Sequence, residues 1–467
     1  MSNVHLVVLG AGPGGYSAAF YAADQGYKVT LVDASDKLGG VCLHSGCIPS
    51  KALLHIAGLI TKARNAKDWG VDFGNPNIDL KRLNEWKEGV VSKFAGGLAL
   101  LCKQRGIDYV AGRGVFVDSN TIKISGGQSI VFDHCVIATG SRPVIPDHFN
   151  ISKSIVVDST QALALSSIPE KMLVVGGGYI GLEMGTVYSA LGSRVSIVEV
   201  KDGFLPDVDR DLVRPLQEKL TKKFEAVYLG TEIVSIREKD KLGVVTMTSA
   251  DDSIEESFDR ILISVGRRPN TDGIGLENTK VKLDSRGFVK VDFKRQTTDP
   301  SILAIGDISG EPMLAHKASH EARIAIDGLK VKDGIIFENI VIPAVVFTDP
   351  EIAWCGLTES EARMKSIEFE VARFPWLASG RAHTLGRTEG LTKLILQPGS
   401  KRLLGVGIVG YGAGELISEG VLAINMKAKA DDLSRSIHPH PTLSETIMES
   451  ADLSLGTATH IYKRPRK

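Results

Sequence analysis

One pattern occurs twice in this chain. Gly10, Gly12, Gly15, Gly26 and Asp33 recur, displaced by a constant interval, as Gly176, Gly178, Gly181, Gly192 and Glu199. Each set sits in the same context. Leu6 to Leu9 reads as a buried parallel strand, Tyr16 to Gln25 as a helix, and Lys28 to Val32 as a second strand ending at Asp33. The second set follows Leu173 to Val175, runs through a helix to about Leu191, and ends in the strand Arg194 to Val198 and Glu199. A lone G-x-G-x-x-G is a weak signal. A full strand–turn–helix–strand unit with a terminal acid, made twice in register, predicts two dinucleotide-binding domains.

The chemistry of each unit follows from residue type. The first glycine permits the tight turn, the second lets a pyrophosphate reach the backbone, and the third lets helix and strand pack closely. Gly14 extends the first run and Tyr179-Ile180 lie inside the second. The helix start offers free N–H groups to phosphate. The acid accepts from ribose hydroxyls, so Glu199 favours NAD over NADP, with Lys201 close by as a weak counter-argument.

The 467 residues are too many for one core, and 43% apolar with 24% charged residues is ordinary for a globular α/β chain. Zero net charge gives no support for nucleic-acid binding. Five mostly isolated cysteines argue against a secreted disulfide framework. The start runs directly into a strand and no apolar run spans a membrane, so a soluble, cytoplasmic protein is expected.

Gly39-Gly40-Val41-Cys42-Leu43-His44-Ser45-Gly46-Cys47-Ile48-Pro49-Ser50-Lys51 places two cysteines in a small loop. Buried hydrophobes or half a metal site are the bland alternatives. Cys102, Cys135 and Cys355 are scattered and supply no second ligand pair, so no metal is expected. A redox dithiol is the better reading, since a local, strained disulfide is the labile kind.

This segment resembles the active-site stretch of the flavin disulfide reductases and, within them, of the dihydrolipoamide dehydrogenases. The resemblance extends over the whole chain and implies four domains: FAD-binding (1–147), NAD-binding (148–268), a central domain completing the FAD site (269–341) and a dimerisation domain (342–467). It implies that Cys42 meets the substrate while Cys47 lies nearer the flavin. Gly40, Val41 and Lys51 would border the same cofactor, with Lys51 paired to Glu183, a residue the resemblance groups with the NAD positions. Thr139-Gly140 and Gly266 close the two nucleotide domains. Gly114, Asp307 in Ile302-Leu303-Ala304-Ile305-Gly306-Asp307, and Ala315 match further FAD positions; Asp307 alone would read as a cap or turn residue. Tyr179 would cover the flavin until nicotinamide displaces it.

His438-Pro439-His440-Pro441-Thr442-Leu443-Ser444-Glu445 is similar to the family's His-Pro-Thr-Leu-x-Glu signature, in which the histidine is the acid/base and the glutamate orients it. Pro441 forces His440 towards an extended conformation, and Thr442-x-x-Glu445 also reads as a capping box. His44, Ser45, Pro439 and Cys355 depart from the family's usual residues, and Lys463-Arg464-Pro465-Arg466-Lys467 is a basic tail. The implied activity is oxidation of dihydrolipoamide with reduction of NAD. The implied partners are a second copy, making a homodimer, and the lipoyl domains and E2 core of 2-oxoacid dehydrogenase complexes or a glycine-cleavage system. Glutathione reductase-like and mercuric reductase-like chemistry are the enzymatic alternatives. A flavoprotein that only binds or scaffolds is the other class.

Overall fold

The computed structural model describes residues 4–149, 151–152, 154–250, 252–330 and 341–462. The basic tail lies outside the described residues. Each glycine repeat builds a five-stranded parallel sheet. The first runs Ile302–Ala304, His134–Ile137, His5–Leu9, Lys28–Asp33, Asp108–Ala111. The second runs Ala226–Leu229, Arg194–Glu199, Lys171–Val175, Arg260–Ile263, Val156–Val157. The repeat extends to strand register: Leu9 pairs with Val32, and Val175 with Val198. The central strands are apolar on both faces because one face packs on helices and the other on a three-stranded antiparallel sheet, Gly114–Asp118 to Ser129–Val131 in the first unit and Glu232–Lys239 to Ser253–Phe258 in the second.

Ile302–Ala304 closes the edge of the first sheet beside His134–Ile137, although most of the chain separates it from His5–Leu9. That pairing carries Asp307 back to the first nucleotide unit. Between the two units lies the helix Cys47–Asn65. Its buried positions Leu53, Ala57 and Ile60 recur at helical spacing and share a core with Met184, Val187 and Tyr188 of the helix Tyr179–Leu191. Pro49 is tolerated because it sits in the first turn, where no intrahelical N–H bond is required.

The C-terminal sheet is antiparallel throughout, in the order Ala344–Val346, Glu351–Gly356, Leu403–Gly410, Leu391–Leu396, Glu370–Pro375. The helices Ala413–Asn425 and Glu445–Leu455 pack on it. The last helix begins later than the sequence spacing suggests, at Glu445 instead of Leu443. Only half of the capping box forms. Glu445 Oε2 accepts from the Thr442 N–H at 2.7 Å, but Thr442 Oγ1 donates to the Pro439 carbonyl instead of capping the helix.

An ion cluster joins this sheet to the second nucleotide unit. Lys393 Nζ, almost fully buried, lies 2.7 Å from Asp209, 2.7 Å from Asp211 and 3.0 Å from Glu359. Among the described residues these three acids alone form a group with metal-ligand spacing, and the ammonium stands where a cation would. Arg373 reaches Asp211 at 2.7 Å and also pairs with Glu359, adding the further positive charge that buried carboxylates need.

Candidate active site

The glycines divide their work identically in both repeats. A Cβ on Gly10 would lie 2.3 Å from Ala138 O, and one on Gly176 would lie 2.6 Å from Ser264 O. Both residues have positive φ, at 106° and 105°. On Gly15 and Gly181 a Cβ would meet the carbonyl of the first glycine at 1.7 and 2.2 Å. Only the middle glycines, Gly12 and Gly178, face open space. A backbone pressed shut at two points and open at the third is a cradle for a group that must touch main-chain N–H donors.

The terminal acids also fasten their own turns. Asp33 accepts from the N–H groups of Ala11 (2.5 Å) and Ser35 (2.8 Å). Glu199 accepts from those of Gly177 (2.6 Å) and Lys201 (2.8 Å). Sequence reasoning gave these carboxylates a ribose alone. The geometry adds a hold on the fingerprint backbone, and Lys201 takes part in it through its backbone N–H.

A cavity of about 850 Å³ opens over the first fingerprint. Gly10, Gly12, Gly14, Asp33, Gly40, Val41, Cys42, Cys47, Lys51, Gly114, Thr139, Gly140, Asp307 and Ala315 all border it. Gly15 lies behind the wall, packed on Gly10. At Gly40 (φ 58°) a Cβ would stand 2.6 Å from the Gly12 Cα, so the loop before the cysteines can close on the fingerprint only without a side chain. The open middle glycine, the acid at the strand end and the cavity's size suit a dinucleotide such as FAD. A second cavity, about 1660 Å³, opens over the second fingerprint and is bordered by Gly176, Gly178, Tyr179, Ile180, Glu199 and Gly266. Gly181 is again behind the wall. Glu183, grouped by sequence with the NAD positions, faces the first cavity instead.

Cys42 and Cys47 are both free thiols in this structure. They are not equivalent. Cys42 donates a hydrogen bond to Cys47, which raises the Cys42 thiol far above its usual range, with burial adding to the effect. The same bond lowers Cys47 to about 7; burial opposes this and the Lys51 ammonium assists it. Cys47 is also the first residue of a 19-residue helix, where the backbone dipole favours a thiolate. Its exposed surface faces the cavity. Lys51 is fixed in turn: its Nζ lies 2.8 Å from Glu183 Oε2 and 4.6 Å from the centroid of the Phe347 ring. Glu183 is buried and also accepts from Ser50 Oγ (3.0 Å) and the Phe347 N–H (3.0 Å).

His440 stands apart from the dithiol. Its Nδ1 lies 2.9 Å from Glu445 Oε1, which leaves Nε2 outward on a side chain 72% exposed, and it borders neither cavity. Burial pushes the Glu445 carboxyl up, but the Thr442 N–H and the histidine together hold it below its usual range. Among the departures, His44 Nε2 donates to the Leu38 carbonyl at 2.8 Å, and Cys355 is a buried thiol pushed up to about 12, a small hydrophobe in effect. Among the residues of the first cavity that went unnoticed in the sequence are Ser141 and Arg267. The second was visible inside Gly266-Arg267-Arg268-Pro269-Asn270, but nothing in that run says where its side chain points.

Comparison with known proteins agrees with this geometry. Residues 4–322 match the pyridine nucleotide-disulphide oxidoreductase family, and residues 342–451 match that family's dimerisation domain. The chain belongs to this family, uses FAD and NAD, and pairs with a second copy through the dimerisation domain. Within the family it is similar to dihydrolipoyl dehydrogenases. The protein of that name from Buchnera aphidicola subsp. Schizaphis graminum is 44% identical over 98% of this chain and 96% of its own length. That from Bacillus subtilis is 42% identical over 98% and 97%. Among solved structures, LpdA from Mycobacterium tuberculosis superposes with a TM-score of 0.88 at 27% identity, covering 96% of this chain and 99% of that one. RclA, an HOCl-induced flavoprotein disulfide reductase from Escherichia coli, gives 0.86 at 27% identity over 96% and 99%. No helix among the described residues is long and apolar enough to cross a membrane.

Proposed function

We propose that Cys42 and Cys47 carry the electrons when this enzyme oxidises dihydrolipoamide to lipoamide with reduction of NAD+ to NADH. The observation that carries the reading is the placement of the dithiol, with both sulfurs at the wall of the first cavity, Cys47 at the first position of a long helix and Lys51 one turn further on, held by Glu183. In the oxidised enzyme these sulfurs form a disulfide. One substrate thiol attacks Cys42, and Cys47 leaves as the thiolate, stabilised by Lys51 and the helix start. The attacking thiol's proton goes to Nε2 of the partner subunit's His440, whose Nδ1 is held by its own Glu445. The second substrate thiol then closes lipoamide, and Cys42 leaves with the proton returned from that histidine. One S–S bond forms, one breaks, and a proton is released to water. Bound FAD would supply the two-electron carrier chemistry that links the dithiol to NAD+.

Gly12, Asp33 and Asp307 would hold the flavin dinucleotide, and Gly178 and Glu199 the nicotinamide one. The division at 147, 268 and 341 belongs to the same reading, as do a cytoplasmic location and delivery of the substrate on lipoyl domains docked to an E2 core. The test is NAD+ reduction by dihydrolipoamide, compared with glutathione as donor and NADP+ as acceptor. A preference for glutathione or for NADP+ would overturn the assignment.

A further inference from the structure

Tyr179, Ile180, Arg267 and Met313 border both cavities and so form the wall between them. Only Arg267 among them carries a formal charge. It makes no ion pair among the described residues, an unusual state for a half-buried guanidinium. Its fork is nevertheless fixed. Nε donates to Ser141 Oγ at 2.8 Å and Nη2 donates to the Ser141 carbonyl at 2.8 Å. Ser141 is buried, and its hydroxyl donates onward to Asp307 Oδ2 at 2.5 Å. Asp307 borders the first cavity.

A serine hydroxyl has one proton and two lone pairs. By accepting from Arg267 it turns its only proton toward Asp307, and each bond polarises the other. The chain Arg267–Ser141–Asp307 therefore runs from the partition into the flavin-side cavity. It is built on the antiparallel pairing of Arg267–Pro269 with Ser141–Pro143, the ribbon formed by the segments that leave the two parallel sheets. At its other end the guanidinium acts on the partition's ring. Burial pushes the Tyr179 phenol up to about 12, and Arg267 pulls in the opposite direction.

We infer that Arg267 is a positioning residue coupling the two nucleotide sites: an anionic dinucleotide in the second cavity steadies the guanidinium, and through Ser141 steadies Asp307 against the dinucleotide of the first. The inference rests on FAD occupying the first cavity and NAD the second. Linkage makes the coupling reciprocal.

The experiment measures FAD release from the purified holoenzyme by the rise of free-flavin fluorescence, with and without saturating NAD+. In the native protein NAD+ should slow release about fivefold, a factor typical of coupled sites. In Arg267→Gln and in Ser141→Ala the factor should fall below about two, while Arg267→Lys, which keeps charge but loses the fork, should be intermediate. A merely structural role would change release with and without NAD+ alike and leave the ratio intact. Ser141→Ala removes one hydroxyl and provides the result should Arg267→Gln fail to fold. A ratio near one in the native protein, or a native ratio retained in both variants, overturns the coupling while leaving the enzyme assignment standing. Purified protein without flavin would overturn both.

Discussion

The dithiol offers the sharpest test, because its two sulfurs are held at different protonation states by identifiable groups. Replacing Cys42 by alanine removes the donor that most lowers Cys47; replacing it by serine keeps an O–H in nearly the same place. A hydrogen bond to a charged acceptor is worth roughly 1.5–3 kcal/mol, and about 1.4 kcal/mol corresponds to one pKa unit. Cys47 borders a cavity that solvent can enter, so the low end of that range applies. Cys42→Ala should raise the Cys47 midpoint by about one unit, from about 7 towards about 8. Cys42→Ser should stay within about half a unit of the value in two-electron-reduced native enzyme. The readout is the long-wavelength thiolate–flavin absorbance of the FAD-loaded protein against pH, present above the midpoint and bleached below it, since only the thiolate donates charge. An alanine midpoint at or below the serine midpoint would refute the donor role. A band in Cys47→Ser but not in Cys42→Ser would show the two sulfurs' roles to be reversed.

Glu199→Ala should narrow the preference for NAD over NADP in kcat/KM, and should also weaken binding of both coenzymes, because Gly177 loses its acceptor; an unchanged ratio would remove this residue from the ribose. Lys393→Met should cost about 3–5 kcal/mol by leaving Asp209 without a cation and Asp211 and Glu359 to share Arg373, read as a lowered Tm. Millimolar Ca2+ should restore part of the loss in the variant alone, since the emptied cluster has ligand spacing. Mixing exchangeable Cys47→Ser and His440→Ala chains should recover roughly a quarter of native activity, because half the dimers are hybrids with one intact site. No recovery after proven exchange would put base and dithiol on the same chain.

The residues legible from sequence were those whose roles are set within a few neighbours. The first and third glycines of each fingerprint are dictated by carbonyls their Cβ atoms would strike, and Asp33 and Glu199 by their position at a strand end. His440 and Glu445 lie five residues apart and found each other at 2.9 Å as the motif requires. What escaped was assembled from distant segments. The Lys393 cluster draws on three separate stretches of chain. Ser141 meets Arg267 only through a strand pairing that no local pattern announces. The long helix Leu80–Gln104 and the three-stranded sheet from Glu232–Lys239 to Ser253–Phe258 were not called out by any motif, because amphipathic periodicity without chemistry attracts no functional reading.

The duplicated fingerprint also explains how one motif serves two cofactors with different tenure. Around the shared glycines the copies diverge, and three of the differing positions bear on how each site is closed. Where the first has Pro13 and Gly14, the second has Tyr179 and Ile180. A Cβ on Gly14 would press within 3.1 Å of the Ala318 Cβ, so that glycine lets the helix Ala315–Lys330 close tightly on the first unit. The second copy puts two bulky side chains on the same face and keeps them at the partition, where the tyrosine stays 40% exposed. A site sealed by close packing suits a resident flavin, and one faced by a side chain able to turn away suits a coenzyme that enters and leaves each cycle. One turn further along, Ser17 donates to Ser319 at 3.2 Å, tying the first unit to that closing helix, whereas its counterpart Glu183 holds Lys51 on the dithiol helix. The same helical position thus secures the helix that covers the first cavity in one copy and the dithiol helix in the other, which places the dithiol against the first cavity and not the second.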